Sequence, residues 1–298
     1  MKTRKVLLSV PLFFGITLTL VLLWTSSTPA VRASAPTHYV SKTSGCGGQS
    51  PCYLSIQAAV NASGPGDLIK VATGTYTGTV KMLFGTQPYT QVVFITRTLT
   101  LQGGFTNSNW TSPDVKTNPT VIDAQRKGRG ITIKGTGSEK VIIDGFTITG
   151  GDYTGFGNPP ATSTVCPRSG GDCAGGLYAS SVKLLLRNSQ MSNNIASRAA
   201  KSNNGGGAYL TTLVSGSTIE NTTFYSNAVT TGDGTGGGAE IAYSGLVTVT
   251  RCTFENNRAE TRGGGLLITQ PANTIIIEKT NFFSNTLNSG WGGLCSPN

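Results

Sequence analysis

The C-terminal part of this 298-residue chain repeats one pattern: a Gly-Gly pair, two short apolar strands, and a large apolar residue followed three positions later by Asn. The glycine pairs begin at Gly175, Gly206, Gly237, Gly264 and Gly292, so that successive spacings are 31, 31, 27 and 28 residues. The closing pairs are Met191 with Asn194, Phe224 with Asn227, Phe254 with Asn257, and Phe282 with Asn285. A repeat of this length is typical of a solenoid, in which each unit packs only on its neighbours.

The apolar residues before each Asn are separated by steps of two, three and two positions, as in Val247, Val249, Cys252 and Phe254. Steps of two indicate strands, because successive strand residues face opposite sides. The step of three indicates a corner between two strands. Such coils stack only if each strand pairs in parallel with its counterpart, so the sequence predicts an all-β, right-handed parallel β-helix.

The same alignment places the closing residues in columns. We expect the rings of Phe224, Phe254 and Phe282 to stack inside the solenoid, because a coil buries its apolar side chains only against its neighbours. The Asn side chains fall in register at a turn, where an amide can bond to the backbone or to the next Asn. We interpret this second column as a structural ladder rather than a set of ligands; it comprises Asn194, Asn227, Asn257 and Asn285.

We predict a single β-helix domain over residues 36–298, with regular repeats over 175–298 and an inserted loop over 150–175. Ile56, Ala59 and Val60 share one helical face, so a short helix is expected to cap the N-terminal end of the solenoid. The last coil starts at Gly292 without a second strand, which suggests a missing segment or a partner at this open end.

The N-terminal residues 1–35 are typical of a secretory signal peptide. Lys2, Arg4 and Lys5 precede an apolar stretch, and small residues around Ala33 provide a cleavage site. An uncleaved anchor is the alternative, because the apolar stretch approaches the roughly 20 residues that span a bilayer. In both cases the repeat domain is secreted or lies at the cell surface, and only this segment contacts the membrane.

The cysteines agree with export to an oxidising compartment. Cys46 and Cys52 flank one short loop and Cys166 and Cys173 flank another, so we predict two local disulfides. Cys252 faces inward in the alignment whereas Cys295 faces outward, and we expect these two not to pair. The chain has one histidine, His38, and no Cys/His cluster for zinc.

The charge of the chain argues against a nucleic-acid partner. The formal net charge is +10, but four of the 23 basic residues lie in the leader, which leaves 19 basic against 13 acidic residues. The remaining charges are spread along the chain without a basic run.

Few acidic residues are placed for catalysis. Asp123 and Asp144 occur in similar Ile-Asp contexts, where a turn-capping carboxylate is the plainer interpretation. One corner column contains acids and a base, with further bases in the adjacent column, and we expect ion pairs across neighbouring coils. These residues are Asp144, Arg187, Glu220 and Glu278, with Arg251 and Lys279 beside them. We predict no catalytic residue, no metal ligand and no cofactor.

Aromatic residues supply the candidate binding surface. Tyr178 and Tyr209 occupy equivalent outward positions on successive coils, and Tyr153, Phe156 and Trp110 lie in predicted loops. Exposed aromatic rings suit the apolar faces of sugars. The alternative is a ladder of rings that shields the sheet.

The repeats resemble those of the polymorphic outer membrane proteins of chlamydial type. The resemblance rests on Gly-Gly-Ala before Tyr209 and Glu240 and on the Phe-x-x-Asn closings, with Leu266 and Met191 as departures. The whole predicted domain also resembles the pectin-lyase-like superfamily, through the helical cap and the turn at Asp144-Gly145. This resemblance implies a β-helix, and the superfamily includes adhesins as well as polysaccharide lyases and glycosidases.

We therefore predict a secreted or cell-surface β-helix protein of adhesive or structural kind. It would bind a polysaccharide or another surface protein and perform no catalysis. The alternative function is a polysaccharide lyase or a glycoside hydrolase.

Overall fold

A computed structural model describes residues 35–85, 87–156, 172–199, 202–288 and 290–295. The predicted signal segment and most of the predicted insertion lie outside these residues. Helix α1 spans Ile56–Ala62, and a 3₁₀ turn spans Cys46–Gly48. The strands are β1 Thr37–Val40, β2 Cys52–Tyr53, β3 Leu68–Ala72, β4 Gly74–Tyr76, β5 Val80–Phe84, β6 Gln87–Ile95, β7 Leu99–Phe105, β8 Thr120–Asp123, β9 Arg129–Lys134, β10 Lys140–Asp144, β11 Thr147–Thr149, β12 Asp172–Cys173, β13 Leu177–Ser180, β14 Lys183–Arg187, β15 Gln190–Ser192, β16 Asn203–Asn204, β17 Ala208–Thr211, β18 Ser217–Glu220, β19 Thr223–Tyr225, β20 Ala239–Ala242, β21 Val247–Thr250, β22 Thr253–Glu255, β23 Arg258–Ala259, β24 Leu266–Thr269, β25 Ile275–Glu278, β26 Asn281–Phe283, β27 Thr286–Leu287, β28 Gly290–Trp291 and β29 Leu294–Cys295.

Three long sheets contain most of these strands. Sheet A has the order β2-β1-β3-β7-β10-β14-β18-β21-β25, sheet B the order β4-β8-β11-β15-β19-β22-β26, and sheet C the order β5-β6-β9-β13-β17-β20-β24-β29. Pairing within them is parallel, apart from the hairpin of β5 and β6. Each coil passes from A to B to C, and crossovers between parallel strands are right-handed. The predicted right-handed parallel β-helix is confirmed.

The step of three in the sequence is the corner between sheets A and B. One residue there adopts a left-handed backbone in each coil, with φ of 50° at Asn188, 45° at Asn221, 53° at Arg251 and 49° at Lys279. The residue after it turns inward, as Cys252 does with 1% exposure. The chain thereby changes direction and still continues its apolar column.

The interior columns consist of stacked side chains of equivalent residues. The rings of Phe224 and Phe254 lie 4.5 Å apart and 2° from parallel, and those of Phe254 and Phe282 lie 5.0 Å apart. Phe224 and Phe254 are buried, whereas Phe282 is half-buried on the last coil. Burial of such large rings stabilises the stack of coils.

The asparagine column is a hydrogen-bonded ladder inside the corner between sheets B and C. The Nδ2 group of each Asn donates to the Oδ1 atom of the next, over distances of 3.0, 3.0 and 2.9 Å from Asn194 to Asn285. The backbone N–H of each donor residue bonds to the same Oδ1 atom. Each Nδ2 also donates to a backbone carbonyl of the preceding coil, as Asn227 does to Met191. The side chains therefore satisfy backbone groups that the corner would leave unpaired.

Helix α1 covers the N-terminal end of the coil stack. Ser55 caps it by accepting the Ala58 N–H, and its face of Ile56, Ala59 and Val60 is buried. The Gln57 side chain accepts the Phe94 N–H at 2.6 Å and donates to the Phe94 carbonyl at 3.3 Å. The helix thus covers the apolar interior and also pairs with a strand edge. At the other end, Ile275 and Ile277 of β25 are only partly buried.

One predicted disulfide, Cys46–Cys52, is present. Cys173 is also disulfide-bonded, and Cys166, its predicted partner, lies outside the described residues. Cys252 and Cys295 are free thiols. Within the described part of the chain, no helix has the length and apolarity needed to cross a membrane.

Candidate functional site

A polar groove runs along the corner between sheets A and B. It consists of two adjoining cavities of about 220 Å³ and about 460 Å³, which share Val115 and Asn188. We call it the corner groove. One side is formed by residues 113–119, here called the wall segment, which belong to the loop between β7 and β8.

Outward-facing residues of sheet B form the floor of the corner groove. Thr147, Gln190 and Thr223 pair in register on β11, β15 and β19 and face outward, because their neighbours Ile148 and Met191 face the core. All three outward residues line the smaller cavity. The floor therefore repeats hydroxyl and amide groups from coil to coil, at the roughly 4.8 Å spacing of neighbouring strands.

Two asparagines continue this polar surface onto the corner. The Nδ2 group of Asn221 donates to the Oδ1 atom of Asn188 at 2.8 Å. Asn188 in turn donates to the Oδ1 atom of Asp144 at 2.8 Å. The left-handed backbone of both residues directs their amides away from the core.

Asp144 closes the larger cavity with a fully bonded carboxylate. Its Oδ2 atom accepts from the Arg187 guanidinium at 2.9 and 3.0 Å, and from Gln102 at 3.3 Å. The side chain of Asp144 is 8% exposed. This is the predicted ion pair between neighbouring coils.

Asp114 of the wall segment lines the same cavity. Hydrogen bonds from the Thr117 side chain and from the backbone N–H groups of Thr117 and Lys116 lower the pKa of this exposed carboxyl. The larger cavity therefore holds two carboxylates. Elsewhere along the corner, Glu220 pairs with Arg251 at 2.9 Å, as the charge columns predict. The described residues include no group of three His, Cys, Asp or Glu side chains that could hold a metal ion.

The predicted stripe of exposed aromatics is wrong. Tyr178 and Tyr209 point out of sheet C, but their exposed fractions are 0% and 1%. Cys173 and Ala174, which precede β13, lie on this face and pack against the tyrosines. The two rings lie 6.1 Å apart and shield the sheet, which was the alternative interpretation.

The predicted loop aromatics do not form a binding surface either. Tyr153 and Trp110 are buried, with exposed fractions of 1% and 7%. Phe156 is 37% exposed and contacts Tyr153 with a centroid distance of 5.8 Å. None of the five aromatics lines the corner groove.

Arg129 is a buried residue that sequence reasoning missed. Its guanidinium lies 3.4 Å from the ring centroid of Tyr153 and 5.0 Å from that of Tyr178. Its Nε and Nη2 groups donate to the Cys173 carbonyl at 2.9 and 2.8 Å, and Nε also donates to Ala174. We call this arrangement the arginine cage. It holds the residues before β13 against sheet C. No local sequence pattern around Arg129 predicts this arrangement.

Glu240 occupies the position that follows Tyr209 in the outward column of sheet C. It is 2% exposed and accepts hydrogen bonds from Thr235 at 2.6 Å, Asn204 at 2.8 Å and Thr269 at 3.1 Å. Loss of hydration raises the pKa of this carboxyl, and the three hydrogen bonds oppose that effect. The carboxyl joins groups of three successive coils.

We expect the stability of the protein to fall with rising pH through Glu240. Because the folded pKa lies above the unfolded value of 4.5, the folded chain binds the proton more tightly. Its stabilising contribution is complete below that value and is lost as the pH rises through the folded pKa. The Tm of the parent chain should therefore fall relative to that of Glu240→Gln as the pH rises above 4.5 and through the folded pKa.

The matched control is Glu255→Gln, which makes the same change at a partly buried position of β22. A difference that grows in favour of the parent chain as the pH rises would contradict the assignment.

Comparisons with known proteins add little to this geometry. No protein-family model matches the chain, and no curated protein matches it. Among solved structures, a pectin methylesterase from Aspergillus niger matches with 13% identity and a TM-score of 0.33, covering 91% of this chain and 92% of that one. The β-helix assignment rests on the strand pairing alone, and the resemblance to polymorphic outer membrane protein repeats stays a prediction.

Proposed function

We propose that the protein is an extracellular β-helix protein that binds an extended glycan in the corner groove. The observation that carries this proposal is the continuous polar floor, which crosses successive coils in register beside the wall segment. A polymer with a regular repeat can place one group on each coil. Hydroxyl and amide side chains such as Thr147, Gln190 and Asn221 donate and accept hydrogen bonds, as sugar hydroxyls require.

Two observations support the extracellular location. The leader has the organisation of a secretory signal, and the Cys46–Cys52 disulfide is of the kind that persists in oxidising compartments. Glycan binding would give the protein an adhesive or structural role, which requires no catalysis.

Blocking the groove should weaken binding. Thr147→Tyr places a ring on the floor, so binding of neutral and acidic oligosaccharides of six sugar units should weaken at least about tenfold, measured by calorimetry. Thr218→Tyr is the matched control, because Thr218 faces outward on β18 of sheet A, away from the groove. Equal binding by both variants, or no binding of any oligosaccharide by the parent chain, would refute the proposed site.

Polysaccharide cleavage is a second candidate function, favoured by Asp114 and Asp144 lining one cavity. Most glycoside hydrolases use a pair of carboxyl groups as their catalytic residues. The purified chain would be incubated with acidic polysaccharides, with and without calcium, while unsaturated and reducing ends are measured. If the parent chain cleaves a polysaccharide and the Asp114→Asn variant does not, the function is catalysis rather than binding alone.

A further inference from the structure

The wall segment of the corner groove is held by a residue outside the groove. Trp110 lies three residues before Pro113, and its Nε1–H group donates to the Cys46 carbonyl at 3.0 Å. The Lys70 ammonium donates to the Trp110 carbonyl at 2.6 Å. The indole ring stacks on Phe105 at 5.8 Å. Trp110 therefore joins the loop of the wall segment to the loop that the Cys46–Cys52 disulfide closes.

The two loops also touch through their backbones. A Cβ atom on Gly47 would lie 1.8 Å from the Asn107 carbonyl oxygen, and Gly47 has a left-handed backbone with φ of 60°. Close to this contact, the Asn107 Nδ2 group donates to Thr43 at 2.8 Å. The disulfide fixes the shape of the loop, so the position of Gly47 sets how closely residues 106–110 approach the solenoid.

The wall segment is tied directly to a coil at Asp114, whose N–H donates to the Gly104 carbonyl of β7 at 2.8 Å. Within the segment, the Asn118 N–H donates to the Asp114 carbonyl at 2.9 Å. Val115 packs so tightly here that a Cβ atom on Gly145 would lie 2.5 Å from its methyl group. Because only a few residues separate Trp110 from Asp114, a displacement of the indole is transmitted to the residues that line both cavities.

We propose that the Cys46–Cys52 loop is a positioning element of the corner groove, which acts through Gly47 and Trp110 to hold the wall segment in place. The part of this inference that concerns ligand binding in the corner groove rests on the proposed function. Gly47 and Trp110 lie outside the groove, so they are positioning residues and do not contact the ligand.

Hydrogen exchange of the oxidised full chain tests the coupling without any ligand. Gly47→Ala should accelerate exchange of the Asp114 and Asn118 amides about tenfold, because the new methyl group pushes the Asn107 carbonyl away. Gly48→Ala is the matched control: it lies in the same loop, also has a left-handed backbone, and its Cβ atom would meet nothing within 4 Å. The amides of Thr147–Thr149 should keep their rates in both variants.

Trp110→Phe provides a second variant should Gly47→Ala fail to fold. It retains an aromatic ring against Phe105 but removes the N–H group that bonds to Cys46, and the same two amides should again exchange faster. Unchanged exchange at Asp114 and Asn118 in the variants that fold, or equal acceleration by Gly48→Ala, would overturn the proposal.

Calorimetry with the oligosaccharides used above separates this inference from the proposed function. Accelerated exchange together with weaker oligosaccharide binding supports both. Accelerated exchange in the variants, combined with a parent chain that binds no oligosaccharide, supports the positioning of the wall segment and removes only the glycan assignment.

Discussion

Arg129→Met should destabilise the protein by roughly 3 to 5 kcal/mol, from lost hydrogen bonds to backbone carbonyls and lost contact of a cation with aromatic rings. The guanidinium is fully buried and donates to the carbonyls of Cys173 and Ala174. Methionine fills much of the same volume but donates no hydrogen bond, so these buried carbonyls lose their partner. Urea unfolding at constant pH measures the change in free energy.

A buried cation also carries a desolvation cost, which its removal relieves. We expect the lost contacts to exceed that relief, because the cation is stacked on Tyr153 at 3.4 Å. Arg129→Lys keeps the charge without the planar donor group and should fall between the parent chain and the methionine variant. Lys127→Met, at an exposed position two residues earlier, is the control. A stability of Arg129→Met equal to that of the control would show that the arginine cage does not hold the residues before β13.

Asn227→Ala should cost roughly 2 to 4 kcal/mol, because it removes one rung of a buried ladder and leaves several polar groups unpaired. The Asn227 side chain accepts from the backbone and the side chain of Asn194 and donates to Met191 and Asn257. The residue is fully buried, so water cannot replace these bonds without opening the corner. Chemical denaturation gives the loss of stability.

Asn227→Asp separates the accepting from the donating half of the amide. It keeps the shape and the oxygen acceptor but loses the donors to Met191 and Asn257, and it places a carboxyl in a buried position. We expect it to be destabilising as well, and more so at neutral than at acidic pH. The control is Asn273→Ala on an exposed turn. A loss below about 0.5 kcal/mol for Asn227→Ala would contradict a cooperative ladder.

The repeated parts of the fold were predictable, because the repeat itself encodes them. The steps of two and three residues gave the strands and the corner, and the register of Phe224, Phe254 and Phe282 followed from alignment alone. The capping helix was predictable from its apolar face. In each case a local pattern matches a local contact, and neighbouring coils repeat that contact.

The candidate site was not predictable in the same way, because aperiodic segments decide what the periodic surface exposes. Tyr178 and Tyr209 face outward as expected, but Cys173 and Ala174, which lie outside the repeat, pack against them. The corner groove forms because residues 113–119 lie beside sheet B. Their sequence has no pattern that predicts this position. Arg129 belongs to the same class: its partners Tyr153 and Cys173 are 24 and 44 residues away in the sequence.

The asparagine ladder has a mechanical consequence. Its bonds link residues that are 28 to 33 positions apart in the sequence, and they run from coil to coil, in the same direction as the hydrogen bonds of the three sheets. A force that pulls two coils apart must therefore break ladder and sheet bonds together, in shear or in tension depending on its direction. A turn without such a ladder would separate before the sheets do. With the ladder, the corner between sheets B and C resists the separating force in the same way as the sheets.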